Sequence, residues 1–153
     1  MTREHVQKVI DWCADEIHDP SQNWYRRCMQ FSRTAWLQPS WGYSARIAYN
    51  RIPHKYRHYT LAKNVPAGAV CFGLLNTNFG HAWIAGRGPA GARVGFSNDY
   101  RRRGYIDRCP LTLPAWTGEQ YKVRWTSWSP FGMLPLWDDE WNQKNIPRPK
   151  VLR

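Results

Sequence analysis

A thiol, an imidazole and a short polar run stand in an order that suits acyl transfer: Cys28, then His81, then Ser97, Asn98 and Asp99. A cysteine attacks as the thiolate, so it needs a base within reach and a setting that stabilises negative charge. Cys28 follows a loop at Asp19-Pro20-Ser21-Gln22-Asn23 and falls in the first turn of a helix expected to begin at Arg26 or Arg27. Unpaired N–H groups and the helix dipole favour an anion there, and the two arginines add positive potential. His81 follows Gly80 at the head of a predicted strand, which fixes a ring direction better than a loop, and glycine leaves room for a substrate backbone. If the next strand is its antiparallel neighbour, one of Ser97, Asn98 and Asp99 lies beside the ring, to hold it and to stabilise its protonated form. Asp99 is the first choice because its charge does both, with Asn98 the alternative. Taken singly these residues have plainer readings, and Cys28 reads equally well as a small inward-facing core side chain.

The elements that must position them follow from periodicity. Val6, Ile10, Cys13 and Ile17 recur at steps of four, three and four, one stripe of a helix from Thr2 to Ile17. Cys13 lies on that stripe and reads as core. The second helix runs to about Leu37 with Cys28, Met29, Phe31, Ala35 and Trp36 inward, and Pro39 ends it. A third is expected from Ser40 to Tyr49, followed by a basic surface loop from Arg51 to Lys63. After Pro66-Ala67-Gly68 the pattern turns to strands: 69–74, His81–Ala85 and Arg93–Asn98, with two more expected over Gly104–Arg108 and Tyr121–Trp125. Helices first and an antiparallel meander afterwards predict an α+β fold. The domain is expected to span 1–136, with 137–153 a polar, proline-containing tail that packs on it or frays.

Composition bounds the partners. The 153 residues carry 22 Lys and Arg against 11 Asp and Glu, a net charge of +11, so the surface should attract polyanions such as nucleic acid, anionic lipid or acidic envelope polymers. The Arg101-Arg102-Arg103 run reads first as a solvated loop. Ten tryptophans suit grooves for sugars or extended peptides, although most are expected to fill the core. Trp24, Tyr25 and Trp83 are the candidate groove walls. No stretch approaches the roughly 20 apolar residues of a membrane span, and Met1–Ile17 is charged throughout, without a signal-peptide core. Synthesis in the cytoplasm is therefore expected. The cysteines, at 13, 28, 71 and 109, lack paired CxxC spacing and are expected as free thiols.

Five segments in order resemble the cysteine peptidase domains of bacteriophage endolysins, particularly those of phages infecting actinobacteria, in the CHAP and NlpC-like branch of papain-like hydrolases. They are Trp24-Tyr25-Arg26-Arg27-Cys28-Met29-Gln30-Phe31-Ser32-Arg33, Pro66-Ala67-Gly68-Ala69-Val70-Cys71-Phe72, Gly80-His81-Ala82-Trp83-Ile84-Ala85-Gly86, Phe96-Ser97-Asn98-Asp99 and Gly104-Tyr105-Ile106-Asp107-Arg108. Trp125-Thr126 and Gly132-Met133-Leu134-Pro135 fit the way such domains close. The resemblance covers about Arg3 to Pro135. It implies a papain-like fold and hydrolysis of a peptidoglycan amide, by a stem-peptide endopeptidase or a muramoyl amidase, with no metal or other cofactor. Cys28 matches the nucleophile, His81 the general base, and Asp99 the polar residue ending the next strand, with Asn98 beside it. The protein implied is a monomer that acts on the wall after release from the host cytoplasm. There are two departures: no separate wall-binding domain fits after Pro135, a role the positive charge could take, and Cys71 stands where an aromatic or aliphatic residue is common.

In the mechanism this predicts, His81 takes the thiol proton, the thiolate attacks an amide carbonyl, His81 protonates the leaving amine, and water hydrolyses the thioester. The Cys28 N–H is one expected oxyanion donor, and the Trp24–Tyr25 loop is the candidate for a second. Three other readings compete. His54 and His58, four apart, have the spacing of two zinc ligands on a helix, but they sit in a basic loop without a carboxylate. A nucleic-acid binder would use the charge and the aromatics, but leaves the Cys–His–Asp order unexplained. A secreted antibacterial toxin or a housekeeping wall hydrolase would share the fold.

Overall fold

The four-three-four stripe becomes one buried face of helix α1 (Arg3–His18), where Val9, Ile10 and Cys13 are buried and Val6, Trp12, Ala14 and Ile17 partly so. Glu4 in its first turn and His18 in its last have the signs that the helix dipole favours. The computed structural model describes residues 3–37, 44–52, 54, 57, 65–74, 78–112 and 127–129. Helix α2 (Cys28–Ala35) buries Met29, Phe31, Ser32 and Ala35, and Trp36, capping its C-terminal end, donates its indole N–H to the Gly68 carbonyl at 3.0 Å. Helix α3 (Ala45–Arg51) starts behind Ser44, whose hydroxyl accepts the Ile47 N–H at 3.2 Å. The expected start at Ser40 lies outside the described residues, and the capped start at Ala45 sets the helix later than the sequence suggested.

Strands β1 (Val70–Gly73), β2 (His81–Arg87), β3 (Arg93–Asn98) and β4 (Ile106–Cys109) form the expected antiparallel meander. Strand β5 (Ser127–Ser129) adds antiparallel to the far side of β1, so the sheet order is β4-β3-β2-β1-β5. The strand expected over Tyr121–Trp125 lies outside the described residues, as do the boundary at 136, the tail 137–153, and His58. Helices packed on one antiparallel sheet make this an α+β fold.

Register decides which side chains meet the helices. Val70 and Phe72 on β1, Ala82 and Ile84 on β2, Phe96 on β3 and Ile106 on β4 join α1, α2 and α3 in the main core. The alternate residues Cys71, Trp83 and Ala85 pack on the opposite face with Val65, Ala69 and Leu111. Trp12, Trp24 and Phe31 interlock in the helical layer, with ring centroids 5.5–6.2 Å apart. Among the described residues no helix is long and apolar enough to cross a membrane.

Candidate active site

Cys28 is the first residue of α2, and α2 packs principally on β2, so the thiol is carried to the sheet at the strand that begins with His81. The preceding residue, Arg27, offers no side-chain cap. A serine or aspartate there would take up an orphan amide of the first turn. Instead the backbone N–H groups of Cys28, Met29 and Ala82 are turned on the sulfur and stabilise its anion. Burial opposes them and is the larger effect, and the Asp99 charge adds to it, so the Cys28 thiol is pushed up to about 11. The thiol is half-buried, whereas Cys13, Cys71 and Cys109 are fully buried and, like Cys28, free.

His81 is buried, and burial alone lowers its imidazole to about 4. Its Nε2 lies 2.7 Å from Ser97 Oγ, and its ring stacks on Trp83 with centroids 6.0 Å apart. Ser97 Oγ in turn donates to the Asn98 carbonyl at 3.1 Å. When the hydroxyl proton goes to that carbonyl, Oγ accepts from Nε2–H and Nδ1 is left unprotonated, the tautomer a general base requires. Among the described residues no hydrogen bond joins the Cys28 sulfur to the ring. The link between the two residues is the backbone of Ala82, whose N–H faces the sulfur and which follows His81 in the chain, while strand alternation turns the His81 side chain to the other face of β2.

The ring's partner is therefore Ser97, and the expectation of Asp99, or of Asn98 in its place, is corrected. The reason is parity. Phe96 pairs with Ile84 and shares its face, so Ser97 falls on the face of Trp83 and His81, while Asn98 falls on the helix side. Asn98 donates its amide to the Trp24 carbonyl at 2.9 Å and to Asp99 at 2.8 Å. Asp99 lies beyond the strand, and its carboxylate accepts from the Arg26 N–H at 2.8 Å and from the Gly104 N–H at 2.6 Å. Both residues thus hold the loop before the nucleophile.

That loop is fastened from several sides. Glu16 at the end of α1 is buried and accepts the Trp24 indole N–H at 2.7 Å and the Ser21 N–H at 3.1 Å. The Trp24 N–H donates to Gly104 O at 2.8 Å. Gly104 has φ +81°, and a Cβ on it would stand 2.5 Å from Asn23 Oδ1, so only glycine permits this approach. Trp24 is thus a buried anchor and not a groove wall; Trp83 too is buried, with its indole N–H on Leu111 O at 3.1 Å. Tyr25 alone of the three is exposed. The loop also does not supply a second oxyanion donor. Tyr25 N–H is held by Asn23 Oδ1, Arg26 N–H by Asp99 and Arg27 N–H by Trp24 O, so the donors at hand are those of Cys28, Met29 and Ala82.

On the His81 side, the space expected beside Gly80 is filled by protein, since a Cβ there would stand 2.6 Å from the Leu74 side chain. The Gly80 φ of +70° serves the turn into β2. Arg46 secures this turn, with its backbone N–H on Phe79 O and its side chain on the carbonyls of Leu74 and Asn78. Among the described residues no group of three His, Cys, Asp or Glu side chains could hold a metal ion. Comparison with protein-family models, with curated proteins and with solved structures finds no match to this chain.

Proposed function

We propose that the chain is a cysteine hydrolase of papain-like type that cleaves an amide bond in bacterial cell-wall peptide, in the manner of a CHAP or NlpC-like phage endolysin. The observation that carries the reading is the half-buried Cys28 at the start of α2, where no side chain caps the helix and the N–H groups of Cys28, Met29 and Ala82 face its sulfur, with the buried His81, bonded through Nε2 to Ser97, next to Ala82 in the chain. A merely structural cysteine does not need three amides around its sulfur. The wall substrate itself rests on the five-segment resemblance and on the basic charge.

In this mechanism the resting site holds a neutral thiol and a neutral imidazole, since burial disfavours both charges. Substrate brings the ring and the sulfur together, and Nδ1, the nitrogen that Ser97 leaves open, takes the thiol proton. The thiolate adds to the amide carbonyl, and the oxyanion is met by N–H groups at the start of α2. His81 then returns the proton to the amine leaving group, and water, deprotonated by the same nitrogen, cleaves the thioester.

The test treats purified peptidoglycan with the wild type and with Cys28→Ala and identifies new amino termini by mass spectrometry. New termini with the wild type alone are expected. Equal release by the variant would overturn the proposal.

A further inference from the structure

Among the described residues Phe79 is the most exposed large apolar side chain, at 71%. Its backbone is nevertheless pinned. The Arg46 N–H donates to the Phe79 carbonyl at 2.9 Å, and the Arg46 guanidinium bonds the carbonyls of Leu74 and Asn78. Gly80 closes the turn at φ +70°, pressed so tightly between Leu74 and the start of α3 that no side chain fits there. The turn therefore holds an aromatic ring out in water on a fixed base, an arrangement that gains nothing from folding and is suited to contact with another molecule. Its place in the fold points to which molecule. Gly73 pairs with His81, so β1 ends where β2 begins, and α2 and α3 both start at that end of the sheet. Phe79 precedes Ala82 by three residues, a reach of at most about 11 Å along the chain, and the Ala82 N–H faces the Cys28 sulfur. Tyr25, also exposed, precedes Cys28 by the same number of residues. The two rings are fastened on opposite flanks. The Tyr25 loop is held to Asp99 and Gly104 at the β3–β4 turn, whereas the Phe79 turn is held to α3 and to the end of β1.

We propose that Phe79 is the wall of an apolar subsite for a short aliphatic side chain of the substrate peptide, within about three residues of the amide that Cys28 attacks and on the flank opposite Tyr25. A ring whose backbone is already fixed loses little freedom when a ligand covers it, so the apolar area it buries is expressed as affinity. An extended peptide laid across this end of the sheet passes over the sulfur between the two rings. This inference rests on the reading of Cys28 as nucleophile.

The experiment compares a soluble wall-peptide fragment with a copy in which glycine replaces its alanines. Binding is measured by calorimetry on full-length Cys28→Ser, alone and combined with Phe79→Ser or Phe79→Leu, and turnover is measured on the wild type. The alanine form should bind about fourfold more tightly, the worth of one methyl group taken out of water. Phe79→Ser should remove that preference, and Phe79→Leu should keep most of it. Because the ring is exposed, the melting temperature with Phe79→Ser should match that of its parent, which separates a lost subsite from a lost fold. Equal binding of the two forms to Cys28→Ser would overturn the subsite, as would a preference that survives Phe79→Ser. If Phe79→Ser instead dissociates an oligomer seen by light scattering, the ring belongs to a contact between copies and the subsite fails. An alanine preference without turnover by the wild type would keep the subsite and remove the nucleophile assignment.

Discussion

The Asp99 carboxylate accepts the backbone N–H of Arg26 at 2.8 Å, and both residues stand in the left-handed region, at φ 57° and 55°. Aspartate tolerates that conformation better than arginine does, and each such residue costs of the order of 1 kcal/mol. The strain is held because the same carboxylate also takes the Gly104 N–H and the Asn98 amide. Asp99→Ala leaves the Arg26 and Gly104 N–H groups without this acceptor, while Asn98 keeps the Trp24 carbonyl, and frees the loop before Cys28. A loss of roughly 1–3 kcal/mol in stability is expected, with a larger fall in turnover than His81 protonation could explain. Urea denaturation, and turnover at a pH where His81 is neutral, measure the two effects.

Ser97 is the residue whose removal should act through the ring. Ser97→Ala takes away the acceptor of Nε2–H and with it the preference for an unprotonated Nδ1. A buried donor left unpaired costs about 1–3 kcal/mol in stability. Turnover should fall by about tenfold or more while binding of an uncleaved peptide is unchanged, since Ser97 is buried and does not face solvent. If turnover in Ser97→Ala matched the wild type, the tautomer argument would fail.

Strand positions were legible because their signals are local. Gly80 opens β2, the Pro66-Ala67-Gly68 turn precedes β1, and β3 matches the expected 93–98 to the residue, whereas β2 continues through Gly86, expected to close it, to Arg87 because both residues pair with β3. The helix at Cys28 was equally legible from the loop before it and the apolar spacing after it. The ring's partner was not, because choosing among Ser97, Asn98 and Asp99 requires the β2–β3 register. Parity from Phe96, matched to the core face of Ile84, was the signal that pointed to Ser97. Trp24 and Trp83 misled for a different reason: the indole N–H of each finds a buried acceptor, Glu16 and Leu111 O, and that makes a tryptophan as suitable for the core as for a groove. The functional use of Glu16 left no trace in the pattern, since a charged residue near a helix end ordinarily faces water.

The buried His81 ties stability to acid. Its folded value of about 4 lies below the ordinary 6.5, so between these values the unfolded chain binds a proton that the folded chain refuses. Stability contributed by the neutral ring is therefore full above about pH 6.5, falls as pH drops towards 4, and loses no more below that. The loss is of the order of 3 kcal/mol. His81→Gln should flatten this part of the stability profile, measured by urea denaturation at pH 7, 5.5 and 4. A wild-type profile as flat as that of the variant would show that the ring is not buried as described.

The Cys28 thiol offers the sharpest contrast with an ion-paired nucleophile. Pushed up to about 11, it should react slowly with iodoacetamide at neutral pH, and the rate should climb steadily as pH approaches that value. An imidazolium-paired thiolate would instead react at a constant rate from mildly acidic pH upwards. Mass mapping of the alkylated protein should place the first label on Cys28, because Cys13, Cys71 and Cys109 are buried. A peptide aldehyde that occupies the site supplies the check on mechanism. If Cys28 and His81 exchange the proton only when substrate unites them, the aldehyde should form its thiohemiacetal at neutral pH, where iodoacetamide labels little. Labelling by iodoacetamide that is already rapid and pH-independent at pH 6 would establish an ion pair in the free protein and displace the neutral resting site.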